Sequence, residues 1–61
     1  MKKYEVILRR EEQINGEYKQ VKIIVENLKN PRIVDDRLIF FENSEESVVF
    51  NKDEWALWKK I

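Results

Sequence analysis

Twelve Lys and Arg against twelve Asp and Glu leave this 61-residue chain without net charge, so it has no global attraction for nucleic acid or anionic lipid. Cysteine and histidine are both absent, which excludes disulfides, zinc sites and Ser–His or Cys–His nucleophiles. A chain this short folds as one domain, and without covalent or metal staples it must bury nearly every large apolar side chain.

The first predicted element is a β-hairpin over residues 3–26. Asn15-Gly16 is a strong signal for a two-residue type I′ turn, whose two central residues both need positive φ. Such a turn sets Ile14 opposite Glu17, Glu12 opposite Lys19, Leu8 opposite Ile23 and Val6 opposite Val25. One face then carries Tyr4, Val6, Leu8, Val21, Ile23 and Val25. The other pairs Glu5 with Glu26, Arg9 with Lys22 and Glu11 with Gln20, leaving Ile7 with Ile24 as its apolar spot.

Leu28-Lys29-Asn30-Pro31 ends the second strand, because Pro31 cannot donate to a ladder and biases Asn30 away from helix. Ile33-Val34 is a short pairing segment before a turn at Asp35-Asp36. A second hairpin is predicted over 37–50: Arg37–Glu42, a four-residue turn Asn43–Glu46, then Ser47–Phe50. That loop sets Phe41 opposite Val48 and Ile39 opposite Phe50, with Phe40 and Val49 on the reverse side. Both faces are apolar, and which of Phe40 and Phe41 turns inward is left open.

Residues 51–61 read as a helix. Asn51 is an N-cap, Glu54 completes a capping box, and Phe50 with Trp55 has the spacing of a hydrophobic staple. Asp53 and Glu54 at one end and Lys59 and Lys60 at the other suit the helix dipole. Trp55, Trp58 and Ile61 share one face, with Leu57 at its edge. The predicted fold is therefore α+β: a four- to five-stranded antiparallel β-meander with one C-terminal α-helix packed on a face. Its core comprises Tyr4, Val6, Leu8, Val21, Ile23, Val25, Leu38, Phe40, Val49, Phe50, Trp55, Leu57, Trp58 and Ile61.

For function, the carboxylate pairs Glu11-Glu12, Asp35-Asp36, Glu45-Glu46 and Asp53-Glu54 all fall in turns or at a helix start, where solvated acids are ordinary. With Gly16 the only glycine, a phosphate-binding loop is excluded. The expectation is a non-enzymatic protein without catalytic residues, cofactor or metal. A protein-interaction or regulatory module, homodimeric, is the leading class. Its expected interface is the apolar surface left on both hairpins, at Ile7, Ile24, Ile39, Phe41 and Val48. The alternative is a nucleic-acid binder using Arg9, Lys22 and Tyr18 on the outer sheet face, with Lys29 and Arg32 beside Pro31. Against it, Glu5, Glu11 and Glu26 share that face and repel phosphate. A membrane role for Trp55, Trp58, Ile61 and the terminal lysines is set aside in favour of core packing. The N-terminus lacks the apolar stretch of a signal peptide, so a cytoplasmic location is expected.

Residues Arg37 to Trp58, R-L-I-F-F-E-N-S-E-E-S-V-V-F-N-K-D-E-W-A-L-W, resemble the end of a small actinobacterial domain of unknown function. That family closes with a strand, an acidic turn, a strand, and then a phenylalanine, a capping residue and Glu-Trp. It occurs beside helix-turn-helix regulators, so the resemblance implies a partner protein of a transcription regulator. The resemblance covers about a third of the chain. The family's glycine and proline in the acidic turn, and its acidic tail, have no counterpart here.

Overall fold

The computed structural model describes residues 1–61 and contains six strands and no helix. They are β1 (Lys2–Ile14), β2 (Glu17–Asn27), β3 (Arg32–Val34), β4 (Arg37–Glu42), β5 (Glu45–Phe50) and β6 (Trp55–Lys60). Two three-stranded antiparallel sheets form, ordered β2-β1-β6 and β3-β4-β5. Their inner faces meet in one core: Tyr4, Val6, Leu8 and Val25 from the first sheet, Leu38, Phe40 and Phe50 from the second.

The α+β expectation is overturned at residues 51–61, where the chain is a turn followed by strand β6. Half of the capping box forms, for the Asn51 side chain donates to Glu54 instead of accepting from the amides of the turn. The Glu54 amide donates to the Asn51 carbonyl at 2.9 Å, and Glu54 Oε1 accepts from the Asn51 amide at 3.3 Å and from its Nδ2 at 2.8 Å. One turn is all it makes. Beyond Glu54 the chain extends along the second edge of β1, pairing Trp58 with Val6 and Trp55 with Leu8. The ladder runs on at both ends, with Arg9 N donating to Glu54 O at 2.8 Å and Ile61 N to Lys3 O at 3.0 Å. A helix of eleven residues is marginal alone and would leave that edge of β1 unpaired. The strand satisfies the edge and still delivers both indoles to the core.

A β-bulge makes this possible. Ala56 is the extra residue between the Ile7–Leu57 and Leu8–Trp55 pairs. In a regular strand, residues three apart point to opposite faces. The added residue puts Trp55 and Trp58 on the same, inner face, where both pack half-buried against the core. The three-residue spacing that reads as a helix face is thus a bulged strand.

The first hairpin turns at Asn15-Gly16 with φ of +52° and +81°, and Ile14 faces Glu17 and Glu12 faces Lys19 as expected. Between Ile7 and Glu11, β1 then carries two residues more than β2 does. Val6 consequently faces Ile23 and Tyr4 faces Val25, a slip of two from the expected register. An even slip keeps every side chain on its expected face. It also separates Glu5 from Glu26, which the uninterrupted register would set directly opposite one another. Glu26 faces Lys3 instead, and Glu5 faces Ile24. Gln20 Nε2 reaches the Leu8 carbonyl inside the irregularity at 3.4 Å.

The other two hairpins also turn on two residues with positive φ: Asp35-Asp36 at +51° and +62°, and Asn43-Ser44 at +50° and +68°. The expected four-residue loop at 43–46 is therefore corrected. Glu45 and Glu46 belong to β5, Phe41 faces Glu46, and a bulge at Ser47 brings Phe40 opposite Val48 and Leu38 opposite Phe50. Phe40 is the inward phenylalanine, fully buried. Val49, Leu57 and Ile61, expected in the core, are exposed on outer faces, whereas Ile39 is buried at 2% exposure.

Side-chain hydrogen bonds stitch the structure beyond the sheets' ladders. Tyr4 Oη donates to Asn30 Oδ1 at 2.7 Å, and Trp55 Nε1 to the Asp36 carbonyl at 2.8 Å. The buried Asn27 gives its Nδ2 to the carbonyls of Lys29 (2.9 Å) and Phe41 (3.1 Å). No buried side-chain polar atom is left without a partner.

Candidate interaction surface

The outer face of the β2-β1-β6 sheet is built from alternate residues of its three strands. With Tyr4, Val6 and Leu8 turned inward, β1 presents Glu5 and Ile7 outward. Across from them stand Ile24 and Lys22 on β2 and Lys59 and Leu57 on β6. Ile7 directly faces Leu57, and Ile24 is its diagonal neighbour, a separation of roughly 7–8 Å in an antiparallel pair. Ile24 is 54% exposed and Leu57 49%, while Ile7 between them is half-buried.

Charge on this face is arranged in a short ladder. Glu5 lies between Lys59 Nζ at 3.2 Å and Lys22 Nζ at 3.7 Å, its own side chain largely covered. Glu26 is touched by Lys3 alone, at 4.0 Å. Exposed pairs of this kind contribute about 0–1 kcal/mol each, so they orient the surface more than they hold the fold. Glu5 and Glu26 are each matched by lysine, and no uniformly positive stripe results.

The remaining expected site residues are distributed elsewhere. Phe41 is half-buried on the outer face of the second sheet under the Arg32 guanidinium, whose carbon is 5.4 Å from the ring centroid. Ile39 is buried in the same strand, and Val48 turns inward and packs against the core. Tyr18, 71% exposed, stands near the tip of the first hairpin. Arg9 lines a mixed-charge depression of about 440 Å³ with Asp36, Lys52, Asp53, Trp55 and Ala56. Lys29 and Arg32 share a separate hollow beside Phe41. Of the five cationic and aromatic candidates, only Lys29 and Arg32 therefore come together, and Lys22 is engaged by Glu5.

No family model, curated protein or solved structure matches the chain. The resemblance of Arg37–Trp58 rests on those residues alone. No helix is long and apolar enough to cross a membrane.

Leu57 and Lys59 are the surface residues that the sequence reading missed. A helix over 51–61 sets them at the edge of a core face and near a dipole end. Only the pairing of β6 with β1 brings them beside Ile7 and Glu5.

Proposed function

We propose that this protein is a small non-enzymatic interaction module that self-associates through the β2-β1-β6 sheet. The observation that carries the reading is the apolar group Ile7, Ile24 and Leu57, held outward on a hydrogen-bonded sheet and framed by the Lys22–Glu5–Lys59 ladder. Exposed apolar side chains gathered on a rigid face, bordered by charge, are the usual composition of a contact surface. The scatter of Arg9, Lys22, Tyr18, Lys29 and Arg32 over separate regions favours no continuous phosphate-tracking groove.

Sedimentation equilibrium at micromolar concentration tests the reading. The expected result is a dimer whose dissociation constant rises at least about tenfold, some 1.4 kcal/mol, in Ile24→Glu. A strictly monomeric parent protein overturns it.

A further inference from the structure

We infer that a second copy of this chain docks on the open edge of β2, antiparallel and centred on Ile24, so that the two protomers share one continuous six-stranded sheet. The inference rests on the self-association proposed above and moves its contact to the sheet edge, where Ile24 meets its counterpart while Ile7 and Leu57 continue the apolar face on either side. Both sheets have open edges, since β2, β6, β3 and β5 are each hydrogen-bonded on one side only. Three of those edges are blunted. β3 has three residues and follows Pro31, β5 is bulged at Ser47 behind Glu45 and Glu46, and β6 is bulged at Ala56 and ends in Lys59-Lys60. Short strands, bulges, prolines and lysines are the devices that keep an edge from pairing. β2 has none of the first three: it runs eleven residues, and the irregularity of its hairpin lies in β1.

The sequence of β2 also selects the partner and the register. A two-fold axis normal to the sheet keeps inner faces with inner faces, so each residue must meet one of its own kind of position. Centring on Ile24 places the two exposed Ile24 side chains against each other. Lys22 of each copy then falls opposite Glu26 of the other, and Ile23 opposite Val25. Centring one position earlier in that strand's alternation, on Lys22, would oppose two lysines. Glu26, touched within its own chain only by Lys3 at 4.0 Å, would gain a second cation. Lys22, 3.7 Å from Glu5, would bridge to a second carboxylate. The ion ladder of one face thereby continues across the junction, as complementary cross-strand charges favour.

A chain without cysteine allows a direct test. Directly opposed residues in an antiparallel pair have Cα atoms about 4.5–5.5 Å apart, within disulfide reach. Ile24→Cys is expected to form a disulfide-linked dimer on mild oxidation, while Leu57→Cys and Ile61→Cys remain monomeric on denaturing gels. Lys22→Glu is expected to weaken the dimer at least about tenfold, and Lys22→Glu/Glu26→Lys to restore it. The double exchange sets like charges against Glu5 and Lys3 within each chain, so recovery can come only from pairing between copies. Thermal melts of each variant confirm that the fold persists. A dimer that neither cross-links through position 24 nor recovers in the double exchange overturns the β2 edge and leaves self-association standing. A monomer at every concentration overturns both.

Discussion

Tyr4 is completely buried on the central strand of its sheet, with the Phe40 ring of the opposite sheet 5.4 Å away and the Trp58 indole 5.9 Å away. Its hydroxyl is satisfied by Asn30 in the linking loop. Tyr4→Phe keeps the packing and removes only that bond. Because Asn30 is exposed and can turn to water, the expected loss is about 0.5–1.5 kcal/mol in urea denaturation. A loss near that of a core truncation would show that the hydroxyl anchors more than one loop. The turns set a second group of residue-scale costs. Gly16 has φ of +81° and open space around the missing Cβ, so Gly16→Ala is penalised by conformation alone, by about 1 kcal/mol. Ser44 holds φ of +68° without that freedom, and Ser44→Gly is expected to stabilise by about 0.5–1 kcal/mol. Opposite signs at the two positions, in parallel denaturation curves, are the outcome that checks this.

At the scale of elements, β6 shows how a local signal can be sound and its extension wrong. Asn51, Glu54 and the Trp55/Trp58 spacing all point to a helix, and the first two do close a turn. What the sequence could not display is the open side of β1, which only a strand can complete. Nor could it display the Ala56 bulge that lets a three-residue spacing serve a pleated surface. Deleting Ala56 leaves Trp55 two residues from Trp58, so the regular ladder keeps both indoles on the inner face, and a loss within about 1 kcal/mol is expected. A loss in urea as large as that of a truncated indole would contradict this alignment of β6 on β1. The hairpins were legible where turn chemistry is strict. Asn15-Gly16 specified the near-turn pairs, whereas Asn43-Ser44, without glycine, read as the start of a longer loop. The interruption of β1 left no sequence mark except in hindsight, as relief of a Glu5–Glu26 opposition. Of the candidate surface, Ile7, Ile24 and Lys22 were legible because they depend only on alternation within the first hairpin. Leu57 and Lys59 depend on a pairing between chain ends and were not.

The whole molecule is elongated, with extents of 42 × 25 × 14 Å. The long axis matches thirteen-residue β1, about 43 Å at roughly 3.3 Å per residue. The core occupies one end of that length. From Arg10 to Gln20 every residue is exposed, and no third strand accompanies the hairpin there. The arm should therefore be dispensable to folding. Removing Gln13, Ile14, Glu17 and Tyr18 joins Glu12 and Lys19 through the same Asn-Gly turn. The shortened protein is expected to unfold within about 0.5 kcal/mol of the parent, as surface changes do. A larger loss would mean that the arm is part of the cooperative unit.

Everything above the residue scale depends on residues 55–60 being a strand that closes β1, since this places both indoles, completes the apolar face and leaves β2 as the one long edge without a bulge or proline. Nuclear Overhauser contacts and backbone chemical shifts of the uniformly labelled protein address that pairing directly. Extended shifts over Trp55–Lys60, with cross-strand contacts from Val6 to Trp58 and from Glu5 to Lys59, are the predicted result. Helical shifts with contacts between residues three and four apart over the same segment would contradict it.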